Sequence, residues 1–143
     1  MCGDLDEGVQ IGQQLLERLQ VMTRMLGVAA ESGSAPSGPP DLATVAGRTA
    51  YMETLFNAGL TRALNDVAAV EPEMVVDTIA CQAIAFARLA GFLAGQLPPE
   101  ADLFRSALEA MMAGHAETTR LAGAYRHAQD HLHGHAHDHD HHH

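Results

Sequence analysis

Six prolines, at positions 36, 39, 40, 72, 98 and 99, cut this chain into four stretches that each carry a helical period. Proline removes a backbone donor and blocks the preceding turn, so no regular element runs through these points. The widest break is 31–40, ESGSAPSGPP, a linker rather than an element. The other two, Glu71–Pro72 and Pro98–Pro99, are short, and short connections between helices make neighbours antiparallel. No stretch alternates apolar and polar residues as a half-buried strand does. The chain therefore reads as all-α, an antiparallel four-helix bundle over residues 1–130.

Each helix has its own signature. The first spans about Asp4 to Ala30, with Asp4 and Glu7 in capping-box spacing and an apolar stripe of Val9, Leu15, Leu16, Leu19, Met22 and Leu26. The second runs from about Asp41 to Val70, with Val45, Met52, Phe56, Ala63 and Val67 on its apolar face. The third, Pro72 to Leu97, is apolar on two sides and is expected to be the most buried. Its ridge of Ala83, Ala87, Gly91 and Gly95 would let another helix approach closely, within the chain or across a dimer. The fourth, Pro99 to about Gln129, places Phe104, Leu108, Met111, His115, Thr118, Ala122 and Tyr125 at alternating steps of four and three, the seam of a left-handed helix pair. With aromatics at only 4% and no Trp, the core must be built from Leu, Val, Met and Ala, which suits helices packed closely together, and a homo-oligomer is expected.

Charge and cysteine usage narrow the function classes. The formal charge is −10, and the eight basic residues, all Arg, form no stripe that could follow a phosphate backbone, so nucleic acid is not an expected partner. Cys2 and Cys81 form neither a disulfide framework nor a paired zinc motif. The opening MCGDLDEG lacks a basic and then apolar region, and Gln82, Arg88 and Gln96 interrupt the most apolar stretch; a cytoplasmic protein that does not enter a membrane is the expectation. No nucleophile–base order and no Glu followed three residues later by His points to catalysis, so the chain is read as a non-enzyme.

The chemistry lies at the C-terminus, where residues 131–143 read HLHGHAHDHDHHH. Nine of the ten histidines fall from residue 127 onward: His127, His131, His133, His135, His137, His139, His141, His142 and His143. Neutral imidazole is a borderline donor that suits nickel and zinc, and copper and cobalt as well. Strict alternation from His131 to His141 lets several rings reach one ion, and Asp138 and Asp140 add carboxylate oxygens. Such a segment cannot bury a core and is expected to be disordered without metal. An internal site is a weaker reading: His115 on the apolar seam, with Asp77 and Cys81 one turn apart on the third helix and Glu53 or Glu117 as further donors.

The alternating tail resembles the His-rich termini of nickel and zinc accessory proteins, such as the urease nickel chaperone and the hydrogenase nickel-insertion GTPase. The resemblance covers the last thirteen residues only; the body has neither the phosphate-binding glycine loop of that GTPase nor the strands of that chaperone. It implies divalent-metal buffering or delivery, with a metal-receiving client protein as partner. The other reading is a helical oligomeric interaction module whose tail is incidental or a cloning addition. Against the latter, only His141–His143 are consecutive, whereas purification tags are uninterrupted runs.

Overall fold

The computed structural model describes residues 3–28 and 41–134. Among these the regular structure is entirely helical: α1 Gly3–Met25, α2 Val45–Ala68, α3 Val75–Ala94 and α4 Leu103–Gly134, with single 3₁₀ turns at Pro72–Met74 and Pro99–Ala101. The all-α reading holds, and the breaks fall where the prolines stand. The linker 31–40 and the tail from His135 onward lie outside the described residues.

Local chemistry explains where the helices start and stop. α1 ends at Met25 rather than near Ala30 because Gly27 takes φ 75°, the left-handed conformation glycine reaches without a Cβ clash. The Gly27 amide donates to Arg24 O at 2.9 Å and the Val28 amide to Thr23 O at 2.9 Å, the paired bonds of a Schellman stop. At its other end α1 already includes Asp4, so Asp4 is not the cap that its spacing to Glu7 suggested. α2 is capped by Thr44, whose hydroxyl accepts the Gly47 amide at 3.0 Å, and Asp41 just upstream accepts the Ala43 amide at 3.0 Å. The second and third breaks each place a proline in the first turn of a 3₁₀ helix, where its missing donor is harmless. Asp102 lies between the second 3₁₀ turn and α4. It adopts φ 51°, a left-handed step that Asp tolerates better than most residues. Its carboxylate accepts Arg105 Nε at 2.6 Å.

Gly47 carries the sharpest local constraint. A Cβ built there would collide with the backbone carbonyl of Asp41, which wraps over the start of α2. Gly59, in the middle of the same helix, would meet nothing within 4 Å. Replacing glycine by alanine in a helix ordinarily stabilises by about 0.5–1 kcal/mol. Gly59→Ala is therefore expected to stabilise, and Gly47→Ala to destabilise by about 1–3 kcal/mol through overpacking. Urea denaturation followed by circular dichroism reads both; two changes of the same sign would refute the close approach at Asp41.

The chain divides into two units, residues 1–89 and 90–143, with the division inside α3. In the first unit, α1 half-buries Leu15, Leu19 and Met22, three members of its predicted stripe. The second half of α2 half-buries Ala63, Asp66 and Val67, and the first half of α3 does the same with Val75, Thr78 and Gln82. One hydrogen bond joins these two helices: Gln82 Nε2 donates to Ala63 O at 3.1 Å across 19 residues of sequence. Ala63 O would otherwise serve only its own helix, so a residue that looked like an interruption of an apolar stretch is a tether. In the second unit Ala90, Phe92, Gln96 and Ala107 are half-buried, and Ala94, at 9% exposure, is the one buried residue among those described.

α3 is the most buried of the four helices, with Ala94 buried and Val75, Thr78, Gln82, Ala87, Ala90 and Phe92 half-buried, yet much of its apolar surface stays open. Ile84 is 71% exposed and Val76 75%. At Gly91 on the small-residue ridge an added Cβ would meet nothing within 4 Å among the described residues. The apolar faces of α2 and α4 are equally open, with Phe56 at 63% and Tyr125 at 65%. Periodicity marks which face of a helix is apolar; burial needs a second surface, which these faces do not meet among the described residues. The segment Pro72–Ala94 is also long and apolar enough to cross a membrane by length and composition alone.

Candidate metal centre

α4 decides the geometry of the first histidines. Helix-compatible residues, Ala128, Gln129 and Asp130, fill the turn between His127 and His131, and the helix continues past the expected end at Gln129 to Gly134. His131 is thus a helical residue, and so is His133 by backbone position, rather than the start of an irregular tail. Residues four apart on a helix lie one above the other on a single face. The two rings meet there, edge to face, with centroids 4.5 Å apart and Nε2 atoms 3.1 Å apart.

That separation has chemical content. Donors on adjacent positions of one zinc or nickel ion, each bonded at about 2.0–2.1 Å, stand about 2.9–3.4 Å apart. The pair is therefore preset to the spacing of a two-imidazole chelate. With no ion between them, one Nε2–H donates to the other Nε2. For both to ligate, the donating ring must carry its proton on Nδ1 instead, a tautomer exchange that solvent can mediate because both rings are exposed. Asp130, exposed on the same turn, adds a negative charge close by. Arg126 donates through Nε to Ala122 O at 3.4 Å, one turn toward the N-terminus.

The pair also sits apart from the apolar seam. The run Phe104, Leu108, Met111, His115, Thr118, Ala122 and Tyr125 continues in the same rhythm to Gln129 and Leu132. Gln129 Nε2 donates to the Tyr125 hydroxyl at 2.7 Å along that line. His127 and His131 fall on the opposite side of α4, in the row of Arg120, which pairs with Glu117 at 3.7 Å. The histidine pair and the apolar seam therefore lie on different faces of one helix.

His135, His137, His139, His141, His142, His143, Asp138 and Asp140 lie outside the described residues, as does Cys2. His115 is exposed on α4 in the second unit, while Asp77 and the free Cys81 are exposed on α3 in the first. Glu53 and Glu117 are exposed as well. Among the described residues no three His, Cys, Asp or Glu side chains gather as a metal would require. The helical pairing of His127 and His131 is what a purely compositional view of the tail misses. Its signal is the H-x-x-x-H spacing over helix-forming residues.

Comparison of the chain with protein-family models, with characterised proteins and with solved structures finds no match.

Proposed function

We propose that this chain is a divalent-metal-binding protein that buffers nickel or zinc, or hands them to a client protein, through the histidines from His127 to His143. The ion is cargo. The observation that carries the reading is the His127–His131 pair, whose nitrogens are spaced as adjacent donors on one ion, at the root of a segment that supplies seven more imidazoles. Asp138 and Asp140 contribute carboxylates to the same segment. Imidazole-rich donor sets favour nickel, zinc, copper and cobalt over magnesium and calcium, which prefer oxygen cages. The many overlapping ligand subsets suit exchange and delivery better than permanent retention. A cytoplasmic, non-enzymatic role is part of the proposal.

The test is calorimetric titration of the metal-free full chain with nickel and zinc at neutral pH, with magnesium as control. Several nickel or zinc ions per chain and no magnesium binding are expected. A chain that takes up neither nickel nor zinc at micromolar concentrations sinks the reading.

A second reading stands beside it, favoured by the open apolar faces of α2, α3 and α4. The body is proposed to complete an antiparallel helical bundle as a homo-oligomer, with the α4 seam packing against its copy in a second chain. The seam repeats every seven residues, and its natural complement is a helix with the same repeat. Phe104, Leu108, Met111, Leu121, Tyr125 and Leu132 together expose on the order of 700 Å² of side chain, close to the roughly 800 Å² per partner of a stable interface. The two readings are compatible, since the histidine pair lies on the other side of α4.

A further inference from the structure

We infer that His127 and His131 are a discrete one-ion site, separate from the alternating segment, and that its occupation locks the C-terminal turns of α4 into helix. The inference rests on the metal-binding reading above and assigns that region a regulatory step. The two Nε2 atoms stand 3.1 Å apart only because residues 127 and 131 are held on one helical face. In an irregular chain the same two rings sample many separations, and the ordering cost must be met on binding. The helical form is therefore the binding form, and whatever binds one conformation alone shifts the equilibrium toward it.

The site is also incomplete by design. Two imidazoles fill half of a tetrahedral shell or a third of an octahedral one, and no further His, Cys, Asp or Glu among the described residues joins them. The open positions are available to water, to downstream imidazoles or to a receiving ligand. An ion held this way orders the helix end while remaining transferable, so metal loading becomes a structural signal at the junction between body and tail. Glu117, Arg120, Arg126 and Asp130 are the charged groups on this stretch of α4, and their charges balance, so no fixed net charge opposes a cation there.

The experiment uses the full chain with His133, His135, His137, His139, His141, His142 and His143 all replaced by Asn, titrated with Zn²⁺. One ion per chain is expected. At free zinc tenfold above the dissociation constant, solvent exchange of the amides of residues 128–132, read by NMR, is expected to slow about tenfold, the factor by which the bound helix gains on the open form. Adding His131→Gln should remove both effects; this exposed position has no packing to lose. If the seven-Asn chain binds no zinc while the parent does, the discrete site is wrong and the metal reading stands. If zinc binds without slowing exchange, or binds equally after His131→Gln, the coupling is wrong. If the parent itself binds none, both readings fall.

Discussion

Lowering the pH from about 7.5 to about 5.5 is expected to release most of the nickel or zinc held by this chain. A protonated ring has no lone pair for a metal, so each ligating imidazole must first lose its proton. Free imidazole side chains titrate near about pH 6.5, and across this interval the neutral fraction of such a ring falls about tenfold. Two ligands per ion make the apparent affinity about 100-fold weaker, and three make it about 1,000-fold weaker. The sign is fixed: protons compete with the metal, so affinity is present above the titration range and lost as pH falls through it. Calorimetry at the two pH values, in buffers of different ionisation heat, reads both the affinity and the protons released. An affinity that does not change over this interval would assign the ions to carboxylates, whose ordinary titration range lies below it.

A charge placed on the α4 seam should break self-association. Leu108 lies mid-stripe between Phe104 and Met111 and is 44% exposed in the single chain. If a second copy covers it, Leu108→Glu buries a carboxylate without a partner, at a cost of about 2–4 kcal/mol, or about 30- to 1,000-fold in the dissociation constant. Ala110→Glu, two residues on and off the seam, is the control and should associate like the parent. Sedimentation equilibrium over a wide concentration range separates the two. Unchanged association of the Leu108 variant would clear α4 of this role and direct attention to α3, where Ile84 and the open Gly91 ridge offer another apolar face. A monomeric parent that instead partitions into lipid vesicles would favour the membrane-length segment Pro72–Ala94 as the reason for those faces.

Both experiments turn on the same division within α4. The seam and the histidine pair occupy opposite sides of a single helix, so variants on one side should leave the other function intact. Metal uptake by the Leu108→Glu chain and association of the His131→Gln chain are the direct checks on that independence.

Much of the candidate site could be read along the chain because its chemistry is local. Imidazole donors in an alternating row point to metal binding by composition alone, and residues 135–143 lie outside the described residues. What composition obscured was the conformation at the row's beginning. Treating the segment as uniformly irregular from His131 overlooked Ala128, Gln129, Asp130 and Leu132, which let the helix run on and turn His127 and His131 into a fixed pair. For His115, Asp77 and Cys81 the sequence offered only helical spacing, which cannot say which faces meet; each residue is exposed on its helix.

The sequence by itself determined that the described chain is helical, where its helices are interrupted and which residues form each apolar stripe. These properties reside within a few residues: proline's missing donor and the 3.6-residue period. Tertiary structure decided what those stripes touch. It joined Gln82 to Ala63 across 19 residues, and left Ile84, Phe56 and Tyr125 in the open. Burial is a property of two surfaces, and a periodic pattern describes only one of them.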